Sequence, residues 1–250
     1  MLKLTDEQRR AHDLSSLEVV VHSAAPCPVE VKRQVVDWIG PIVHEYYGGS
    51  EGNGFCALDT RQWLEHPGSV GVPLVGKIRI LDDDGRQLAT GDVGQVWFDS
   101  DLRFEYHNDP VKTAEAFNEK GWSTLGDVGY LDEDGYLYLT DRATHMIISG
   151  GVNIYPQEVE NLLVLHPAVA DVAEIGVPNP DLGEEVKAVV LPAEGAITGP
   201  ELEAELVRYT RDHLAHYKCP RTVDFVDQLP RLPTGKLLKR ELRRRYWPAE

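Results

Sequence analysis

Asp141-Arg142-Ala143-Thr144-His145-Met146-Ile147-Ile148-Ser149-Gly150-Gly151-Val152-Asn153-Ile154-Tyr155-Pro156-Gln157-Glu158-Val159-Glu160 is where the chain changes character. Ser149-Gly150-Gly151 reads either as a phosphate-cradling loop or as a hairpin turn, and the turn is favoured because no helix begins directly behind the glycines. Pro156 opens a helix that carries Val159, Leu162 and Leu163 on one face, and Pro167 stops it. Downstream the pattern is a small α+β unit. Strands are expected at 169–177 and 186–191, then a helix with Leu202, Leu206 and Tyr209, a strand at 222–226, and a last helix with Leu238, Leu242 and Tyr246 behind Pro233-Thr234-Gly235. Lys236 stands at the start of that helix, where the positive helix end disfavours a cation, an oddity that hints at a purpose.

Upstream of residue 141 the pattern is different. Residues 68–141 read mainly as antiparallel sheet. Lys77-Ile78-Arg79-Ile80 alternates polar with apolar, Asp84-Gly85 turns the chain, and Gln95-Val96-Trp97-Phe98 returns it. A second pair, 128–131 and 136–139, folds about Asp134-Gly135, with a short helix near 111–117. Earlier still, Pro28 opens a helix with Val31, Val35, Trp38 and Ile39 at helical spacing, between a buried strand at 17–21 and another at 42–47. Strand–helix–strand order reads as an α/β unit whose beginning is cut away. Residues 1–13 are polar and poorly patterned. The expected fold is α/β plus α+β: the end of a large α/β domain with a distorted antiparallel β-barrel over 1–141, then a small hinged lid over 142–250.

Composition bounds the function. The 250 residues are 42% hydrophobic and 26% charged, enough for one large or two small cores. No apolar run approaches the roughly 20 residues of a membrane span, and the first residues have no signal-peptide core, so a cytoplasmic protein without an integral membrane segment is expected. Cys27, Cys56 and Cys219 form neither a CxxC pair nor a disulfide framework, and the His residues lack ligand spacing. Neither zinc nor a redox cofactor is expected. A net charge of −16 argues against nucleic-acid partners. Residues 231–245 depart from that balance, with seven Lys or Arg against Glu241. They are either a solvated helix face or a local attractor for a phosphorylated ligand.

Singly, the candidate motifs are weak. Tyr46-Tyr47-Gly48-Gly49-Ser50-Glu51 follows a strand, where ligands often bind in α/β sheets. Its aromatic ring can stack on a planar group and its carboxylate can hold Mg²⁺, although Gly-Gly after a strand is equally a turn. Gly126-Asp127 offers a carboxylate to sugar hydroxyls, or merely forms a turn.

Together they resemble a family. Tyr47-Gly48-Gly49-Ser50-Glu51, Gly68-Ser69-Val70-Gly71-Val72-Pro73-Leu74-Val75-Gly76, Gly126-Asp127, the 141–160 block and Leu229-Pro230-Arg231-Leu232-Pro233-Thr234-Gly235-Lys236 occur in the order found in adenylate-forming acyl- and aryl-CoA ligases. The 141–160 block and Pro233-Thr234-Gly235-Lys236 are the most specific. The resemblance implies a two-step reaction: a fatty or aryl carboxylic acid and ATP give acyl-AMP, and CoA then displaces AMP. It implies that Tyr47, with Gly48 and Gly49, meets adenine, that Ser50 contacts phosphate, and that Glu51 helps hold Mg²⁺. Asp127 and Arg142 would grip the ribose, while Ala24, Ala25 and Pro26 would run along the nucleotide and acyl group. Lys236 would bridge acid and phosphate oxygens during adenylation. Gly150 and Gly151 would line the thiol's path, Tyr217 and Arg221 would lie near the CoA nucleotide, and Thr144 would be the hinge.

The chain departs from the family in places. Leu125 stands where a Thr is usual, Ala143-Thr144-His145 follows Arg142, and Val152 replaces a Glu. The family's Ser/Thr/Gly-rich phosphate loop ending in Pro-Lys-Gly does not occur in these 250 residues. The resemblance therefore implies a carboxy-terminal half, with an amino-terminal half as a missing partner. Two rival readings remain: a non-catalytic module binding nucleotide, CoA or a partner chain, and acyl transfer to a carrier protein.

Overall fold

The computed structural model describes residues 2, 4–232 and 236–247. Of the string 229–236, Pro233, Thr234 and Gly235 lie outside the described residues. Two compact units divide the chain, Met1–Thr140 and Asp141–Glu250.

The first unit begins with a short helix, α1 (Asp6–Arg10), where the sequence suggests no structure. Its cause is local: the Thr5 hydroxyl accepts the Gln8 N–H and the Gln8 side chain accepts the Thr5 N–H, a reciprocal cap. Strand β1 (Val20–His22) leads to α2 (Val29–Ile39) and β2 (Val43–Gly48), and β1 pairs β2 in parallel, His22 opposite Glu45. The 17–21 segment is not a buried strand. Only Val20–His22 form a strand, at the end of the sheet, and Leu17, Val19 and Val21 are 42%, 55% and 61% exposed. On α2 the deepest positions are Lys32 and Val36, while Val31, Val35, Trp38 and Ile39 are only partly buried.

Strand β3 (Phe55–Leu58), helix α3 (Thr60–Glu65) and strand β4 (Val72–Val75) follow and extend the first sheet in the order β1-β2-β3-β4. A second sheet joins β5 (Lys77–Leu81), β6 (Gly94–Asp99), β7 (Ser123–Leu131) and β8 (Leu137–Arg142) in sequence order, with helix α4 (Pro110–Glu115) between β6 and β7. Among the described residues its strands pair as a four-stranded path, and closure into the expected barrel is not shown. A bridge between Leu137 and Gly71 continues it towards the first sheet. Cys56 from β3 packs with Ile78, Ile80, Val96, Phe98 and Leu137 into one core, and Tyr47 and Leu125 lie against it.

The second unit is a mixed sheet covered on both faces. Strands β9 (Ile147–Ser149) and β10 (Val152–Ile154) turn about Gly150-Gly151, whose φ values of +58° and +81° suit glycine. Helix α5 (Gln157–Leu163), strands β11 (Val169–Asn179) and β12 (Gly183–Pro192), helix α6 (Pro200–His213), strand β13 (Thr222–Phe225) and helix α7 (Lys239–Arg243) complete it. The sheet order is β10-β9-β12-β11, with β13 parallel to β12. Alternation along β11 sorts the cores. Val172 joins Val159, Leu163, Leu202 and Leu206 beneath α5 and α6, whereas Ala173, Ile175 and Val177 join Leu229 and Leu242 on the α7 side. Leu163 and Leu206 are fully enclosed, so cutting either to Ala costs about 2–5 kcal/mol.

Helix α7 starts three residues after Lys236, so that lysine does not oppose a helix dipole. Two backbone bonds frame it instead: the Leu232 N–H meets the Lys236 carbonyl at 2.9 Å and the Leu238 N–H meets the Pro230 carbonyl at 2.8 Å. No helix among the described residues is long and apolar enough to cross a membrane.

Candidate functional site

Because β1 and β2 run parallel, their carboxyl ends emerge at one edge of the sheet. That edge carries Ala24-Ala25-Pro26 from β1 and the 46–51 segment from β2. Ala24 has φ +75°, a left-handed backbone rarely adopted by a residue with a Cβ, and such strain gathers at functional sites. On β2, Tyr46 is exposed and stacked on Phe55, while Tyr47 turns inward. The Tyr47 ring lies 6.0 Å from that of Phe98, and its hydroxyl donates to Asp127 Oδ2 at 2.5 Å.

Asp127 reaches that position through an irregularity in the sheet. Gln95 pairs with Val128 and Trp97 with Thr124, so β7 holds two extra residues between those pairs. A bulge re-aims side chains, and here it carries the Leu125–Asp127 segment out of the ladder. The Asp127 residue is 6% exposed. Below it, Gly49 permits a close approach: a Cβ there would lie 2.4 Å from Glu51 Oε2 and 2.9 Å from the Leu125 side chain. Glu51 Oε1 accepts the Tyr106 hydroxyl at 2.9 Å, and Oε2 accepts the Ser50 hydroxyl at 3.4 Å. Tyr47, Gly49, Ser50, Glu51, Tyr106, Leu125 and Asp127 thus form one connected cluster. The sequence reading misses Tyr106, 55 residues from its partner, because no local pattern marks it.

A second feature missing from that reading lies under the same edge. Lys32 is 2% exposed and its ammonium bonds Glu45, two residues before Tyr47. Burial raises the Glu45 carboxyl, but bonds from His22 and Lys32 outweigh it and hold the group below its usual range. His22 is raised to about 9, first by Cys27 and then by Glu45. A lysine at helical spacing with Val36 was the available signal.

In the second unit, the Asp141 side chain is 4% exposed and acts as a hub. Oδ1 accepts the Arg142 N–H at 2.6 Å and faces His145 Nδ1 at 3.1 Å; Oδ2 accepts the Gln157 N–H at 3.1 Å, at the start of α5. Arg142 is half-buried, and Thr144 is exposed in a single 3-10 turn, Ala143–His145. Lys239 Nζ lies 2.7 Å from Glu160 Oε1 and 3.9 Å from Asp141 Oδ2, an ion pair poorly aligned for hydrogen bonding. Burial alone lowers the Lys239 ammonium, but Glu160 and Asp141 reverse it and raise the group. Glu174 is wholly enclosed, neither carboxyl oxygen has a hydrogen-bond partner among the described residues, and burial pushes it well above the carboxylate range.

Gly150, Gly151, Tyr217 and Arg221 are exposed, as is Lys236. The Arg221 backbone N–H donates to the Val186 carbonyl at 2.9 Å. Among the described residues no hydrogen bond, ion pair or ring contact joins Gly150-Gly151 to Tyr217 or Lys236, so the structure does not gather these into one cluster. Among the described residues no group of three or more His, Cys, Asp or Glu is arranged to hold a metal ion.

Comparison with known proteins fits both units. Residues 1–104 match the family AMP-binding enzyme, and residues 158–236 match the AMP-binding enzyme C-terminal domain. A feruloyl-CoA synthase from Amycolatopsis sp is 41% identical over 240 residues, 95% of this chain and 48% of that protein. ATP-bound MatB from Rhodopseudomonas palustris superposes with a TM-score of 0.82 at 34% identity, over 91% of this chain and 45% of that one. The o-succinylbenzoate CoA synthetase MenE from Bacillus subtilis, in complex with an acyl-adenylate, gives 0.79 at 30%, over 92% and 48%. The chain spans about half the length of the curated relatives it matches. It belongs to the AMP-binding, adenylate-forming ligase family, and its second unit carries that family's C-terminal domain.

Proposed function

We propose that this chain supplies the nucleotide-holding edge and the C-terminal domain of an ATP-dependent acid–thiol ligase. The acid carboxylate attacks the α-phosphorus of ATP and pyrophosphate leaves. The CoA thiolate then attacks the acyl carbonyl and AMP leaves. The observation that carries this reading is the Tyr47–Asp127 pair, with Ser50 and Glu51 beside it, at the carboxyl edge of a parallel strand pair. Asp127 is an enclosed carboxylate whose partner is a hydroxyl, chemistry suited to ribose hydroxyls. Glu51 stands among the hydroxyls of Tyr106 and Ser50, an oxygen-rich setting of the kind Mg²⁺ takes while water and phosphate fill its other positions. Arg142 adds a cation for the ribose, Lys236 neutralises developing charge during adenylation, and Gly150-Gly151 flank the thiol's approach before the hinge at Thr144. Tyr217 and Arg221 serve the CoA nucleotide. An arylpropenoic or other aryl acid is the favoured substrate class, from the feruloyl-CoA synthase likeness, with fatty acids next.

Titration calorimetry with a non-hydrolysable acyl-adenylate mimic, an acyl-sulfamoyl adenosine, tests the reading. Charge-assisted bonds are worth about 1.5–3 kcal/mol, so Asp127→Ala is expected to weaken binding roughly tenfold or more. Unchanged affinity in Asp127→Ala refutes the assignment of the ribose site.

A further inference from the structure

Among the described residues, the segments on either side of Lys236 are tied to their unit both outside and inside. On the outside, Arg231 pairs with Asp171 through bonds of 2.9 and 2.8 Å. On the inside stands Lys239, three residues beyond Lys236 and 7% exposed. The two ties are physically unlike. The Arg231 pair is solvated, so water and salt screen it. The Lys239 pair is enclosed, and an ammonium there stays charged only while its acids stay where they are.

Those acids lead directly to the hinge segment. Glu160 sits on α5, and its Oε1 also accepts the Glu174 N–H from β11 at 2.7 Å. Asp141 holds the Arg142 N–H, His145 and the first amide of α5. One ammonium therefore joins the segment that carries Arg142 and Thr144, helix α5, strand β11 and helix α7. Enclosed ion pairs often add little net stability over an apolar replacement, and fixing one arrangement is where they act.

We propose that Lys239 is a positioning residue for Lys236: its enclosed ammonium, held between Glu160 and Asp141, fixes the segments on either side of Lys236 to the hinge segment of the same unit. Without it the two backbone bonds framing Lys236 open more often, and the exposed lysine loses its fixed origin. The proposal rests on the reading of Lys236 as the adenylation lysine, but its first test is structural and stands apart from activity.

Native-state hydrogen exchange of the 250-residue chain reads the Leu232 and Leu238 amides, which make those two bonds, against the amides of the β11–β12 ladder. Lys239→Met is expected to speed exchange at Leu232 and Leu238 by about tenfold more than at β11–β12. Lys239→Arg keeps the charge and retains protection. Arg231→Gln leaves the difference small. Equal acceleration at both sets of amides, or none at Leu232 and Leu238, overturns the proposal. Should Lys239→Met fail to fold, Glu160→Gln carries the test, since the amide oxygen still accepts from Glu174 while the charge is gone: selective exchange at the same two amides supports positioning, and its absence overturns it. Lys236→Ala leaves protection unchanged. If, in an adenylating form of the protein, the same substitution leaves acyl-AMP formation intact, the role of Lys236 falls while the exchange result still decides the role of Lys239.

Discussion

Replacing Glu174 separates two costs that the fold bears at one position. The residue is 0% exposed on β11, and neither carboxyl oxygen has a hydrogen-bond partner among the described residues. Burial is the main reason its carboxyl is raised; the nearby Glu160 carboxylate, Cys219 and Asp141 push the same way, and Lys239 opposes them only in part. The folded protein therefore keeps the proton while the unfolded chain releases it above about pH 4.5. A carboxyl raised in the folded state stabilises fully below its unfolded value, and that contribution is lost as pH rises towards the folded value. As pH rises above about 4.5 the second unit should therefore lose stability from this group, by up to about 1.4 kcal/mol per pH unit for as long as the folded state keeps its proton. Glu174→Gln keeps the shape and the unpaired polar atoms but cannot ionise, so its stability should fall less steeply over that range. Glu174→Met also removes the unpaired polar atoms, which adds about 1–3 kcal/mol at any pH. Urea dependence of β11–β12 amide exchange at pH 5, 6 and 7 measures both effects on the second unit alone. An unchanged pH slope in Glu174→Gln means that Glu174 is ionised in the fold, and refutes the reasoning.

Other outcomes follow from the same structure. The 250-residue chain alone is expected to give no ATP–pyrophosphate exchange with fatty acids or benzoates, since the phosphate-loop motif is not in its sequence; robust exchange contradicts this. Limited proteolysis should cut near 142–146, where Thr144 is exposed in a single turn, and release a stable fragment; resistance there counts against a hinge. In an adenylating form of the protein, Lys236→Ala should slow acyl-AMP formation by about 3 kcal/mol, roughly a hundredfold, and spare thioester formation from supplied acyl-AMP. Gly151→Leu should do the reverse, since its φ of +81° suits no branched side chain, and equal slowing of both steps by either variant would end the division of labour.

The sequence displays what is locally encoded. Asp84-Gly85 and Asp134-Gly135 announce their hairpins, and the apolar runs at 169–177 and 186–191 become the longest strand pair. Strands β3 and β4 escape notice because Phe55-Cys56-Ala57-Leu58 does not alternate and Pro73 interrupts its partner, so pairing across the sheet decides them. Helix α3 was not read either, although Asp59 and Gln62, which form its reciprocal cap, stand three apart in the sequence. In the candidate site, Tyr47, Ser50 and Glu51 are adjacent in the chain and readable together. That Asp127 meets Tyr47 depends on two extra residues in β7, and Tyr106 reaches Glu51 only through the tertiary fold. Lys239 belongs to the basic 231–245 stretch, which reads as either a solvated face or a ligand attractor, and neither it nor Lys32 shows in sequence the acids that enclose it.

Strand β1 has a practical consequence. Among the described residues it lies at the end of its sheet, and Val21 on it is exposed. A short apolar edge is a template for another chain's backbone, and each added strand would expose the next. The behaviour of a preparation will therefore depend on how concentrated it is and how long it stands. Light scattering should grow faster than in proportion to protein mass, and Val21→Lys, which sets a charge on the outward face without touching Val20 or His22, should flatten that growth.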